Sequence, residues 1–440
     1  MLIEFRAENV RSFRDGIDLS FLATTLAEPG VPREISWREG GKPINLLPAA
    51  GIFGANASGK SNLLRVMDDM RGYVLNSFKH GRSDDGISRR NFLLDGRSKS
   101  RPSRYEVEVV LHGIRHSYGF VIDDREVLEE WALRYPRGKA ATIFHRHKDR
   151  PGVSLGSRNR AKGNAVQEIL RPNSLFLSAA AAANHPDLVP LYEWFENNLL
   201  IVEASSRSHR WMYSANLLSR EESRDIILAL LQAADLGITN ARLRKIDPHL
   251  LERYKRAAQI LADGDPDGFD VEIDFAELGL VMSHRGSEGD IEFDVQSESL
   301  GTLVWFGIVG PMVSAIATGS VLLVDEIEAS LHPSLVNQIV RTFQDRESNP
   351  RGAQLVFSSH EATLLGDSAG NRIIGRDQVW FTEKGNDGRS RLYPLTDLNP
   401  RKEEAVGKRY LAGRYGATPI ISREKFAEVA SHIMDSGGDA

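Results

Sequence analysis

Cysteine is missing from all 440 residues. That excludes disulfides, thiolate metal sites and cysteine nucleophiles, and it suits a reducing compartment such as the cytoplasm. An excess of basic charge is missing too. Lys and Arg number 55 against 60 Asp and Glu, a net charge of −5, so no global field argues by itself for nucleic-acid binding. The local basic stretch from Arg134 to Arg150 reads either as a binding patch or as a solvated face, the latter being the commoner case. The opening Met-Leu-Ile-Glu-Phe-Arg lacks the basic region and apolar core of a secretory signal. No tandem repeat or long heptad run is present. One uncharged run, Gly301 to Val324, has the length of a membrane span. Pro311 and Gly319-Ser320 divide it into a helix and a strand, Val321 to Val324. A continuously apolar strand is what a parallel sheet covered on both faces requires, so no membrane partner is expected.

The length allows two or three domains. Two strands are expected between Leu2 and Phe21, joined near Arg14-Asp15-Gly16. A further strand over Ala49 to Phe53 enters a glycine loop, and a helix over residues 61 to 77 leaves it. Tyr105, Val107 and Val109, then Tyr118, Phe120 and Ile122, alternate about a His112-Gly113 turn and predict a hairpin. The spacing from Asn164 to Ala262 is mainly helical, including Leu188 to Leu200 and Ile226 to Leu236. Strands return from Asp270 to Phe293 and from Gln378 to Leu395. The expected division is an N-terminal lobe (1–160), a helical insertion (161–265), a C-terminal lobe (266–420) and a tail (421–440).

Gly54-Ala55-Asn56-Ala57-Ser58-Gly59-Lys60-Ser61 matches G-x-x-x-x-G-K-S in full, with a strand before it and a helix after it. Gly54 and Gly59 let the backbone curl so that successive N–H groups face a phosphate, and the helix N-terminus adds positive potential. Lys60 would reach the β- and γ-phosphates and the Ser61 hydroxyl would hold Mg²⁺; Asn62 continues the helix. Far downstream, Val321 to Val324 runs into Asp325-Glu326. Asp325 would hold Mg²⁺, and Glu326 would orient or deprotonate the attacking water. The implied cofactors are ATP and Mg²⁺, and the implied reaction is ATP hydrolysis.

Two more elements complete an order. Ser299-Leu300-Gly301-Thr302 precedes a helix, and Leu355-Val356-Phe357-Ser358-Ser359 is a strand ending at His360. Phosphate loop, Ser-x-Gly element, Asp-Glu pair and strand-end histidine together resemble the ABC ATPase head, an α/β P-loop NTPase with a mixed sheet, here with a helical insertion. The resemblance implies that Ser299 and Gly301 belong to a degenerate signature motif acting in trans, and that His360 is the switch histidine at the γ-phosphate. It also implies a head-to-tail homodimer, or a higher homo-oligomer, with ATP at the interface. For Ser299 the plain alternative is a helix N-cap, and for His360 a satisfied core histidine. No Q-loop glutamine is placed; Gln167 and Gln232 fall in helical contexts.

Phe5-Arg6-Ala7-Glu8-Asn9-Val10-Arg11-Ser12-Phe13-Arg14 resembles the N-terminal strand of RecF- and SMC-like ATPases, in which the matching region lies beside the nucleotide. Arg11 and Ser12 are thus ATP contacts or part of an exposed hairpin edge. Glu328-Ala-Ser-Leu-His332-Pro333, the stretch Arg376 to Phe381 and Tyr410-Leu-Ala-Gly-Arg414-Tyr415-Gly416-Ala417 resemble the AAA-15/AAA-21-type ATPases of bacterial abortive-infection loci, neighbours of RloA-like and AriA-like proteins. Unlike the overcoming-lysogenisation-defect family, no Toprim nuclease is expected within these 440 residues. That resemblance implies a separate effector, nuclease or toxin, gated by an ATP-driven dimer in anti-phage defence. The alternative is a DNA-repair or chromosome-maintenance ATPase that binds duplex DNA. Asp263-Gly-Asp265-Pro-Asp267-Gly268 imitates a calcium loop, but Asp274 replaces the usual bidentate Glu and a solvated acidic turn is favoured.

Overall fold

The alternating run from Tyr105 to Ile122 folds as the hairpin its pattern predicts, β6 (Ser103–Leu111) and β7 (Ile114–Ile122), in register from Ser103↔Ile122 to Leu111↔Ile114. Its two-residue turn needs left-handed backbone at both positions, supplied by His112 at φ 48° and Gly113 at φ 73°. Around the hairpin an antiparallel sheet grows to seven strands. It takes in β1 (Leu2–Glu8), β2 (Ile17–Ser20), β8 (Val127–Arg134), β9 (Ala141–His147) and β10 (Val153–Leu155), in the order β10-β9-β8-β7-β6-β1-β2. The computed structural model describes residues 1–79, 82, 84–202, 207–244, 249, 279–366, 372–419 and 422–436. The acidic turn at Asp263 and residues 270–278 of the strand region expected from Asp270 lie outside them.

A second sheet has six strands in the order β11-β15-β16-β5-β17-β18. They are β5 (Ala49–Gly54), β11 (Leu199–Val202), β15 (Val321–Val324), β16 (Gln354–Ser359), β17 (Val379–Lys384) and the antiparallel edge β18 (Ser390–Pro394); the pairings from β11 through β17 are all parallel. Consecutive residues of a strand face opposite ways, so each central strand serves two cores. Val321 and Leu323 join Ala50, Ile52 and Val356 in a core with the antiparallel sheet and α1 (Lys60–Asn76). Leu322 and Val324 join Phe53, Leu355 and Phe357 in another core. Between the sheets, Gln354 on β16 accepts from Leu2 N at 2.7 Å and donates to Leu2 O at 2.9 Å. Two short pairs complete the described strands: β3 (Arg33–Ile35) with β4 (Ile44–Leu46), and β12 (Ile238–Leu243) with β13 (Leu280–Gly286), to which β14 (Gly289–Asp294) adds.

The helices are α2 (Gly96–Ser100), α3 (Arg160–Ile169), α4 (Phe176–Ala182), α5 (Val189–Asn197), α6 (Arg207–Leu218), α7 (Glu221–Ala233), α8 (Leu300–Thr318), α9 (Pro333–Gln344), α10 (Val406–Leu411) and α11 (Arg423–Ser436). The helical spacing from Leu188 to Leu200 overruns: α5 stops at Asn197, and Leu199-Leu-Ile-Val202 leaves as β11 to pair with β15. A short apolar run satisfies helix and strand alike until a partner decides. The segment from 161 onward therefore places a strand in the P-loop sheet as well as helices. The long uncharged run becomes α8, closed by Gly319 in left-handed conformation, followed by β15. Among the described residues α8 is the one helix long and apolar enough to cross a membrane, and it lies as a core helix against α6 and α7. Pro311 inside it disturbs the helical ladder. Ser214 of α6 bridges the neighbouring turn, donating to Phe306 O at 2.5 Å and accepting from Gly310 N at 3.1 Å.

Candidate nucleotide-binding site

β5, β16 and β15 lie side by side and parallel, so their C-terminal ends reach one edge of the sheet, where α/β folds bind ligands. β5 ends at Gly54, β15 runs into Asp325-Glu326 and β16 ends one residue before His360. The loop from Gly54 curls as its sequence requires. A Cβ on Gly54 would stand 2.4 Å from Thr382 O and 2.7 Å from Ser58 Oγ. Gly59 has φ 119° and caps α1; a Cβ there would meet Ser390 Oγ at 2.6 Å. Ala57 is also left-handed, at φ 59°. Ser58 N donates to Ala55 O at 3.2 Å, and the Ser58 and Thr382 hydroxyls are 2.7 Å apart, tying the loop to β17.

Lys60 is buried, its ammonium donating to Gly54 O at 2.9 Å and Ala55 O at 3.0 Å and lying 3.3 Å from His360 Nδ1. Burial lowers its pKa to about 8, with Glu328, Glu326 and Asp325 pulling it back up. Burial, and then the charge of Lys60, lowers the His360 imidazole below its ordinary value. Asp325 is buried, and its Oδ1 accepts from Ser358 Oγ at 2.6 Å; the same hydroxyl accepts from Glu326 N at 2.8 Å. Ser358 therefore ties the Asp325 carboxylate to the Glu326 backbone. Glu326 itself is exposed and left-handed at φ 50°. Glu328 accepts from His360 N through Oε1, while its buried Oε2 has no partner among the described residues.

Ser61 and Asn62 form the first turn of α1, half-buried. Asn62 Nδ2 donates to Ser12 Oγ at 2.9 Å, and Ser390 Oγ lies 2.9 Å from the same hydroxyl. Ser12 thus sits beside the loop. Arg11 makes a two-pronged pair with Asp69 of α1, at 2.6 and 2.7 Å. Among the described residues, no hydrogen bond joins Ser299 or Gly301 to this chain's own phosphate loop. Ser299 is exposed and caps α8, accepting from Thr302 N at 3.1 Å. Gly301 packs so closely that a Cβ would stand 2.9 Å from Ser330 O, beyond the acidic pair. Gln167 and Gln232 are occupied elsewhere, with Val153 N and Thr239 O.

The donors suit Mg²⁺. A hydroxyl at Ser61 and one carboxylate at Asp325, only one of whose oxygens is used by Ser358, leave most of an octahedral shell to water and phosphate, as this ion prefers. Sequence reasoning missed Ser358, Thr382, Ser390 and Glu328. The signal for Ser358 was available: two hydroxyl residues closing an otherwise apolar strand.

A curled glycine loop at a strand end, a lysine folded over it and an acidic pair two strands away define a P-loop ATPase domain. The family model described as "AAA domain, putative AbiEii toxin, Type IV TA system", AAA_21, matches residues 49–366. The chain belongs to that family. It is similar in fold to the Smc head bound to the C-winged helix domain of ScpA, at 12% identity and a TM-score of 0.41 over 90% of this chain and 99% of that one. It is similar also to the Smc head with an extended coiled coil bound to the C-terminal domain of ScpA derived from Pyrococcus furiosus, at 12% identity, TM-score 0.35, 90% and 97%. The recombination mediator protein RecF is similar at 14% identity, TM-score 0.28, 89% and 98%. No curated protein matches the chain.

Proposed function

We propose that this chain binds Mg·ATP and hydrolyses it, and that two copies close head to tail over two nucleotides as a switch for a separate effector in anti-phage defence. The observation that carries the ATPase reading is the convergence of Lys60, Asp325 with Glu326, and His360 at the ends of three adjacent parallel strands, with Ser358 joining two of them. The loop N–H groups and Lys60 take the phosphates, Ser61 and Asp325 hold the metal, and Mg²⁺ when bound neutralises charge developing on the phosphoryl oxygens. Glu326, exposed at the strand end, receives the proton of the attacking water. His360 stays neutral near pH 7 and offers a hydrogen bond at the γ-phosphate. Ser299 and Gly301, presented away from this chain's own loop, cap the nucleotide of the second copy. The family's description, with its toxin and toxin–antitoxin system, supports the defence setting.

The test is Glu326→Gln. The variant retains ATP without turnover and shifts to a dimer by mass measurement; normal turnover would refute the assignment of Glu326 as the base. Copurification with the product of an adjacent gene tests the effector, and no association in any nucleotide state counts against it.

One observation favours the alternative of a duplex-DNA-binding repair or maintenance ATPase. Arg137 and Lys139 in the β8–β9 turn, and Arg150 in the β9–β10 turn at the other end of β9, are exposed and without partners among the described residues. DNA-stimulated, salt-sensitive turnover would move the assignment there.

A further inference from the structure

The phosphate loop faces a cavity of about 1080 Å³, lined on one side by Gly54, Ala55, Asn56 and His360 and on the other by the segment from Tyr410 to Pro419. Small-molecule pockets run to about 1,000 Å³, so the space exceeds what a terminal phosphate needs, and the C-terminal segment bounds it. That segment is built in. Phe381 stacks on Tyr410 at 5.4 Å and on Tyr415 at 5.7 Å, and Phe53, the residue before Gly54, meets Tyr410 edge-on at 6.4 Å. Tyr393 donates to Tyr415 O at 2.8 Å. Gly416 has φ 69°, and a Cβ there would lie 2.9 Å from Tyr393 Oη and 3.0 Å from Glu383 Oε1.

β17 holds both sides of the cavity. Thr382 faces Ser58 of the loop, while Phe381 and Glu383 face the segment 410–419. Two residues beyond Thr382, on the same face of the strand and about 7 Å further along, is Lys384. It is exposed, lines the cavity and has no partner among the described residues. The cavity lining includes His360, 3.3 Å from the Lys60 ammonium, and Gly54 and Ala55, the residues to which that ammonium donates, so the cavity adjoins the part of the loop assigned to the terminal phosphates.

Resting on the ATP-binding reading, we propose that Lys384 and the segment 410–419 form a wall of the nucleotide site in the same chain, and that Lys384 binds the terminal phosphate and so selects ATP over ADP. Removing one charge-assisted hydrogen bond costs about tenfold in affinity.

The test titrates Mg·ATP and Mg·ADP into Glu326→Gln protein with and without Lys384→Ala. ATP affinity is expected to fall about tenfold with ADP affinity unchanged, and Lys384→Arg to restore it. Leu411→Glu, an anion set on the wall at a side chain 71% exposed, is expected to weaken ATP more than ADP with thermal unfolding unaltered. Equal losses for both nucleotides, or none in either variant, overturn the wall. Lys60→Ala separates the two failures. If that variant still binds ATP, the nucleotide site itself is misassigned; if it loses ATP while Lys384→Ala and Leu411→Glu lose nothing, only the wall fails.

Discussion

The phosphate loop and the start of α8 are both glycine-containing turns into a helix, yet they are finished differently. At the loop, Gly54, Ser58, Gly59 and Lys60 are each held by another element, whether β17, β18 or the end of β16. At α8 the Ser299 hydroxyl is satisfied within its own helix turn and stays exposed. The first arrangement uses its contacts to preorganise backbone donors for an anion, which is how such loops gain affinity. The second is a stable cap that needs nothing more from its own chain. If α8 contributes to a nucleotide, it does so from outside that nucleotide's own loop.

The largest expected effect falls on chemistry. Glu326→Gln lowers steady-state phosphate release by about a thousandfold, within the range for general acid–base groups, while ATP affinity is kept. A variant that turned over normally would remove Glu326 from the mechanism and require another group at the strand ends to orient the attacking water.

Next comes Lys60→Ala, expected to weaken ATP by about a hundredfold in calorimetry, through the loss of charge-assisted hydrogen bonds to two phosphates. Because burial holds this ammonium at about 8, the same site carries a pH signature. Phosphate needs the protonated form, so affinity is flat below pH 8 and falls above it, approaching tenfold per pH unit. Lys60→Arg removes that dependence. A flat profile to pH 10 in the unmutated protein would contradict a desolvated lysine.

How much of this was legible in the sequence follows from the same contrast. The loop, the acidic pair and the strand-end histidine are local patterns whose spacing reports their own backbone, and the period-two hairpin about His112-Gly113 reports its own turn. Ser358, Thr382 and Ser390 are not local. Each acts on residues 32 to 378 positions away, through strand order, which no window of sequence contains. Leu199 to Val202 was misread for a related reason: its apolar run fits either period, and only pairing with β15 fixes it. The clustering of Tyr410 and Tyr415 on Phe381 likewise joins two tail motifs that the sequence presents separately.

Ser299→Ala tests the other side of the contrast. It should cost about 1 kcal/mol of stability through the missing cap and leave ATP affinity of the monomer unchanged, while nucleotide-driven dimerisation weakens. Loss of monomer affinity would mean that the capped turn reaches its own chain's nucleotide after all.

The smallest effect is expected at Arg11. Its guanidinium forms a two-pronged pair with Asp69, both side chains 14% exposed, so Arg11→Ala should lower thermal stability by about 1 kcal/mol and leave ATP affinity as it was. Ser12, joined to Asn62 and Ser390, touches the first turn of α1 directly. Ser12→Ala should therefore disturb nucleotide affinity more than Arg11→Ala does. The reverse order, with Arg11→Ala costing about tenfold in ATP affinity, would mean that Arg11 leaves Asp69 for the nucleotide, and the N-terminal strand would then count among the parts of the site that assemble only on binding.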